Sequence, residues 1–436
     1  MPALSGKLWL SIAALIAIIF AIPAQAAPDV VPSQRVIAAV VVRAEPTTRS
    51  ESLARLRPGE SLELKGDVPG WYRVGLPDGR VGYVSKSWTE VVSQAAVPGA
   101  PVWRIHFVDV GTGLATFVEG PDFTLVYDGG SNDDLARGNA NRLLAYLRKV
   151  RPDLLVIDHV ILSHPHRDHV ELLPDLFDAY QIRNVWDSGR LYDICGYRAF
   201  LQKISSEPGV VYHDAHGPTG IHVATLAPKS CYGAPAAPLN VSFPHGPSIS
   251  RKLVVPLGAG ATMTFLTDDA GLHPDANENS VVVRLDLGTD RILFMGDAEA
   301  SSQRQLPSVP PDPDFAEGQL LACCLADIRA DLLVAGHHGS KSSSRAAFVD
   351  AVGAKIFVIS SGPKRYGRVT LPDAAVVQEF VDRGTLWRTD FDDPHCRIDI
   401  AKIGTDNDDR AGGCDNILVR VPASGPLLVN YERIHD

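Results

Sequence analysis

Apolar and polar residues alternate with a period of two over many short stretches of this chain, and follow helical spacing over only a few. Between residues 34 and 92, V-I-A-A-V-V-V-R, S-L-E-L-K-G and W-Y-R-V-G-L read as half-buried strands. R-P-G-E, D-V-P-G and P-D-G-R supply the turns between them, with Pro presetting φ and Gly taking corners other residues avoid. So many short strands predict a small all-β barrel over 34–92. The stretch S-Q-A-A-V-P-G-A-P predicts a linker over 93–102. From Trp103 on, strands alternate with helices, which predicts one larger α/β unit over 103–436. W-R-I-H-F-V-D-V and F-T-L-V-Y-D lead as strands to the helical N-R-L-L-A-Y-L-R-K-V. I-D-H-V-I-L-S is a buried strand, and V-E-L-L-P-D-L-F opens a helix. S-V-V-V-R-L-D-L and R-I-L-F-M-G-D form a hairpin around Gly288-Thr289-Asp290, and D-L-L-V-A-G-H-H-G-S ends a strand in histidines.

The N-terminal run sets the compartment. Lys7, the apolar L-W-L-S-I-A-A-L-I-A-I-I-F-A-I and A-Q-A before Ala27 predict a signal peptide over 1–26 and an exported protein, periplasmic, envelope-bound or extracellular. The alternative is an uncut N-terminal anchor; no other run approaches the ~20 apolar residues that span a bilayer. Six cysteines suit an oxidising compartment, and Cys195–Cys231 and Cys396–Cys414 are the favoured pairs because each brackets a loop-like stretch. A net charge of −10 argues against an extended nucleic-acid-binding surface, which needs clustered Lys and Arg.

The chemistry is concentrated in S-H-P-H-R-D-H-V, residues 163–170, directly after the apolar V-I-L. His164 and His166 alternate, so both can reach one metal ion from one side of a loop; Asp168 and His169 follow at a spacing suited to a second. Asp297 in M-G-D-A-E and His337-His338 in G-H-H-G-S also sit at strand ends, where a rigid scaffold presents functional loops. Lys341, Lys364, Arg365 and Arg368 follow, and cations beside a metal in an acidic protein favour an anionic substrate. T-D-N-D-D-R at 405–410 lacks the full ligand ladder of a calcium loop and reads as solvated.

Two resemblances add to this reading. Val42-Arg43, Leu53, Leu56, Gly59, Glu60, Trp71-Tyr72, Val74, Asp78-Gly79 and Gly82-Tyr83-Val84 resemble the bacterial SH3 family. That resemblance implies a module that holds cell-wall peptides, with Trp71, Tyr72, Tyr83 and Trp88 either a peptidoglycan groove or ordinary packing. The larger unit resembles the metallo-β-lactamase superfamily, and within it the soluble ComEC-type competence domain. The resemblance is carried by F-V-D-V-G-T-G, L-V-Y-D-G-G, L-S-H-P-H-R-D-H, N-E-N-S-V-V-V-R-L, I-L-F-M-G-D-A-E, A-G-H-H-G-S-K-S-S-S and W-R-T-D.

The resemblance implies a four-layer αββα sandwich with metals at one edge, Zn2+ as one or two ions, or Mn2+. His164 and His166 would hold the first ion, and Asp168, His169 and His338 the second, with Asp297 between them. His337 would face substrate, Asp128 would orient ligands, and Asp168 would help steer the attacking water. Many members supply a further first-metal histidine between the H-x-H-x-D-H loop and the bridging aspartate. Here His213, His216, His222, His245 and His273 lie in that interval, none in a convincing motif. The expected function is an exported metal-dependent phosphodiesterase acting on nucleic acid or a phosphate-bearing envelope polymer. Amide or lactam hydrolysis is the runner-up, followed by a cell-wall-binding protein with a degenerate hydrolase domain.

Overall fold

The computed structural model describes residues 29–92 except 34–35, 37–38 and 58–59; residues 103–390 except 136 and 218–219; and residues 415–431 except 424. The expected leader, the linker, the 405–410 loop and the Cys396–Cys414 pair lie outside the described residues.

The N-terminal unit is all β. Strands β1 (Asp29–Pro32), β2 (Val40–Arg43), β3 (Ser52–Leu56), β4 (Leu62–Val68), β5 (Trp71–Gly75), β6 (Val81–Ser85) and β7 (Thr89–Val92) form one sheet, ordered β3-β2-β6-β5-β4-β1-β7. Val30, Val42, Leu56, Val74 and Val84 close its core. The sheet begins earlier than residue 34, because β1 pairs with both β4 and β7 and buries Val30. Tyr72 packs against this core beneath the Lys86 ammonium, whereas Trp88 is 50% exposed. A shallow cavity on this unit is lined by Leu62, Glu63, Lys65, Pro77 and Arg80, and by none of the four aromatics, Trp71, Tyr72, Tyr83 and Trp88.

The larger unit holds two mixed sheets. The first contains β8 (Trp103–Phe107), β9 (Ala115–Glu119), β10 (Thr124–Gly129), β11 (Val156–Leu162), β12 (Gln181–Asp187), β13 (Val211–His213), β14 (Gly220–Lys229) and β15 (Ala237–His245). The second contains β16 (Val254–Gly258), β17 (Ala261–Phe265), β18 (Val283–Leu287), β19 (Asp290–Phe294), β20 (Leu332–Val334), β21 (Ile356–Ile359) and, beyond a small hairpin of β22 (Arg365–Tyr366) and β23 (Val369–Thr370), β24 (Thr385–Arg388). The chain then returns to the first sheet as β25 (Ile417–Val421) and β26 (Leu428–Tyr431), with β25 antiparallel to β8. Helices α1 (Arg142–Val150), α2 (Arg167–Val170), α3 (Leu176–Ala179), α4 (Cys195–Ser206), α5 (Ala316–Cys323), α6 (Ala346–Val352) and α7 (Ala374–Val381) complete it.

Successive strand residues point to opposite faces, so a strand apolar throughout must be covered on both. In β11, Ile161 enters the core between the sheets, while Val160 and Leu162 pack outward with Leu143, Leu147 and Phe200 of α1 and α4. In β19, Ile292 and Phe294 face the inter-sheet core, and Leu293 packs outward with Phe348 of α6 and Phe380 of α7. Three apolar cores between four layers make the αββα sandwich. The helix expected over 170–177 is broken: α2 begins at Arg167, and Pro174, which has no N–H to donate, sits in a 3-10 turn before α3. Cys195 and Cys231 are bonded as expected, and the adjacent Cys323 and Cys324 are also bonded to each other.

One buried carboxylate makes the unit acid-sensitive. Burial pushes Glu119 up, but His106, Arg104 and Arg151 outweigh it and hold its pKa at about 2. A depressed carboxyl contributes stability that is fully present above its unfolded pKa of about 4.5 and is lost as pH falls through about 2. Glu119→Gln is expected to lower Tm at pH 7 and to converge with wild type as pH falls from 4.5 towards 2, measured by thermal melts across pH. A pH-independent difference would contradict this linkage.

Candidate metal centre

The parallel strands of both sheets end at one edge, and the donor residues lie just beyond them. Asp128 closes β10, His164 to His169 follow β11, Asp297 follows β19, and His337 and His338 follow β20. The backbone there is forced into unusual shapes. Asp128, His337 and His338 have φ of 56°, 47° and 52°, left-handed values that cost a non-glycine residue about 1–3 kcal/mol. Gly130 is needed for close approach, since a Cβ there would meet the His169 backbone N at 2.1 Å. That is the physical content of D-G-G beside H-R-D-H.

Each key imidazole is aimed from behind. Asp128 accepts hydrogen bonds from the Ser163 N–H at 2.7 Å and the Ser163 hydroxyl at 2.7 Å, and its Oδ2 takes His169 Nδ1 at 2.8 Å. The Ser360 carbonyl accepts from His338 Nδ1 at 2.8 Å. In the neutral rings, with both Nδ1 atoms donating, both Nε2 atoms carry lone pairs, and they lie 3.2 Å apart. Asp297 Oδ1 is 3.2 Å from His169 Nε2 and 3.6 Å from His338 Nε2, yet it is buried without a hydrogen bond. Two imidazole lone pairs and an unsatisfied carboxylate oxygen converging on one point fit a divalent cation.

The donor atoms fall into two overlapping groups, His164–His169–Asp297 and Asp168–His169–His338, each within 4.8 Å. The field agrees. Burial alone would lower the His169 pKa, but Asp297 and Asp128 raise it well above the usual imidazole value. Burial would raise Asp297, but His169, His338 and His337 hold it well below the usual carboxylate range. His164, buried beside His169, is held well below. Asp128 and Asp297 thus favour positive charge at His169, while burial keeps His164 neutral.

The other expected residues divide. His166 stands beside the cluster, with Nδ1 3.0 Å from His164 Nε2, and belongs to neither three-donor group among the described residues. Asn277 and Asn279 of N-E-N-S supply no third imidazole: Asn279 bonds Arg190, and Asn277 Nδ2 lies 3.5 Å from His337. His337 lines the cleft with Nδ1 bonded to Glu299 at 2.8 Å; burial opposes its charge, but Asp297 and Glu299 raise its pKa to about 9.

The cleft has a volume of about 450 Å³ and is lined by His166, Arg167, Asp168, Asp297, Arg304, His337, Lys364 and Tyr366, among others. Lys341 and Arg365 are not among the residues that line it. Arg365 is exposed on β22, and Lys341 lies in a loop tied down by its own backbone N–H to Asp373 and by Ser343 to the Gly336 carbonyl. Three contributors were not foreseen. Tyr366 donates its hydroxyl to Asp168 Oδ2 at 2.9 Å, and Asn132 donates to the same oxygen at 2.6 Å. Arg304, paired with Asp373 and bonded to Ser340, lines the cleft wall. Tyr366 lies within G-P-K-R-Y-G-R, where the cations carry the stronger signal; Arg304 has no sequence signal.

Comparison with known proteins gives two family matches: the metallo-beta-lactamase superfamily over residues 108–362 and the bacterial SH3 domain over residues 38–90. Recombination protein 2 of Haemophilus influenzae is 26% identical over 263 residues, 60% of this chain and 24% of its own length. The uncharacterized protein YcaI of Escherichia coli is 31% identical over 125 residues, 29% of this chain and 14% of its own. The chain thus spans a quarter or less of these relatives. Among solved structures, the metallo-beta-lactamase fold protein YhfI from Bacillus subtilis aligns with a TM-score of 0.37 at 14% identity, over 66% of this chain and 96% of that one.

Asp128 bonds the His169 nitrogen that faces away from His338 and Asp297, and belongs to neither donor group. Asp128→Asn is expected to weaken zinc or manganese affinity about 10–100-fold in chelator competition, with far-UV circular dichroism unchanged. Unaltered affinity would remove Asp128 from the centre.

Proposed function

The chain belongs to the metallo-beta-lactamase superfamily of hydrolases, carries a bacterial SH3 domain and is related to a ComEC-type protein; on that premise we propose that it is a phosphodiesterase acting outside the cytoplasm. The observation that carries this reading is the cleft wall: Arg167, Arg304 and Lys364 surround a cluster able to hold cations. An anionic diester is attracted by such a wall, whereas a neutral amide gains little from it. The name of the Haemophilus relative, a recombination protein, favours nucleic acid among the possible diesters.

His164, His169, Asp297, Asp168 and His338 would hold one or two ions, of zinc or manganese class. Such ions supply a nucleophilic hydroxide at neutral pH and offset charge on the phosphoryl oxygens. The chain's own residues do the rest. Asp168, oriented by Tyr366 and Asn132, accepts a hydrogen bond from the attacking water. Lys364 and Arg304 position the non-reacting phosphate oxygens. His337, held by Glu299 and facing the cleft, passes a proton to the leaving oxygen.

The Cys195–Cys231 disulfide and the N-terminal apolar run support export, and the SH3 domain supports retention at the cell wall. Among the described residues no helix is long and apolar enough to cross a membrane.

Purified protein is expected to carry one to two zinc or manganese ions per chain by elemental analysis and to hydrolyse bis-p-nitrophenyl phosphate. Asp297→Asn, which removes the carboxylate charge at nearly constant volume, should cost at least ~100-fold in that rate. A metal-loaded protein that opens a β-lactam and cleaves no phosphodiester would overturn the proposal, and one that cleaves neither would point to a wall-binding role.

A further inference from the structure

A second cluster of metal-ligating side chains lies on the first sheet, away from the cleft. Asp214 follows β13, His222 is on β14, and His245 ends β15. His245 Nε2 is 2.8 Å from Asp214 Oδ1, and His222 Nδ1 is 3.2 Å from Asp214 Oδ2. One donor atom from each residue lies within 4.8 Å of the others. Leu162 is level with Asp187 and Trp186 with His213 across β11, β12 and β13, so Asp214 stands two strands from the end of β11, about 10 Å along the sheet edge.

Asp214 Oδ1 is already engaged, accepting from the His216 N–H at 2.7 Å and lying in hydrogen-bond distance of His245 Nε2; the case for a cation rests on Oδ2. The Asp214 side chain is fully buried, and its Oδ2 accepts no hydrogen bond although His222 Nδ1 faces it. No N–H is therefore aimed along that approach. Between His222 and Oδ2 a proton fits the geometry poorly, and an ion among the three donors satisfies that oxygen. The His222 ring is held in place, stacked on Phe243 at 5.5 Å and 6° and nearly parallel to His245 at 5.7 Å. Two imidazoles and one carboxylate are the donors of a borderline-soft ion such as Zn2+ rather than of Ca2+ or Mg2+.

The fold gives such an ion a purpose. The β14–β15 hairpin is the outer edge of the first sheet; it buries Ala224, Leu239 and Phe243 but exposes Ile221 and Val223 by 78% and 59% near its open end. Its turn is fastened to α4 by Cys195–Cys231, but at the opposite end its register with β13 is a single pair, Tyr212 with His245. We propose that Asp214, His222 and His245 bind a structural zinc ion that rivets the open end of this hairpin to β13. The site is independent of the hydrolytic reading.

The test is zinc content of the full chain. His222→Gln/His245→Gln, dialysed against zinc beside wild type, is expected to hold one zinc fewer per chain, to keep bis-p-nitrophenyl phosphate hydrolysis within about twofold, and to be cleaved faster by protease between residues 220 and 245. Equal zinc content in a folded variant would overturn the proposal. If the double variant does not fold, anomalous diffraction at the zinc edge from zinc-soaked wild-type crystals decides: a peak among the three donors supports the site, and none there overturns it.

Discussion

The hydrogen bond from His169 Nδ1 to the buried Asp128 carboxylate is the contact on which the rest of the centre depends. It fixes which nitrogen of the neutral His169 ring carries the proton, and so turns Nε2 towards His338 and Asp297 as an acceptor. The bond exists only because Asp128 adopts a left-handed backbone and Gly130 lets the α2 turn press against β10. The Ser360 carbonyl does for His338 what Asp128 does for His169. A strained, fully buried carboxylate would be unfavourable alone; here it is offset by the Ser163 N–H and hydroxyl and by the imidazole it holds.

Much of this is visible in the chain itself, for definite reasons. Strands such as V-I-D-H-V-I-L must be covered on both faces, so apolar runs separated by helical stretches imply a layered α/β fold. The H-x-H-x-D-H string is legible because its donors come from one loop, where spacing along the chain translates directly into spacing in space. His166 shows the limit of that translation: it has the right spacing, but its ring stands beside the cluster.

What was hidden is assembled across elements. Arg304 reaches the cleft from a loop after β19, and Tyr366 arrives on the β22–β23 hairpin; neither has a sequence neighbour that announces its role. Lys341 was misleading in the opposite way, being near His338 in sequence while its loop is tied down by Asp373 and Ser343. The histidines between 213 and 245 fit no motif because antiparallel register, not chain spacing, brings His222 and His245 to Asp214. The early strand β1 was missed because a four-residue strand ending in Pro32 has too few alternations to show a period.

The donors of the centre come from both halves of the sandwich: His164, Asp168 and His169 from the first sheet, Asp297 and His338 from the second. The halves are stitched beside the centre by the Tyr127 hydroxyl and by the Ser163 carbonyl, both bonded to Val281. A nascent or half-folded chain therefore owns ligands but no coordination sphere, and the centre comes into being only when the sheets dock. The seam thus makes completion of the cluster a late event, reached only once both sheets are in place.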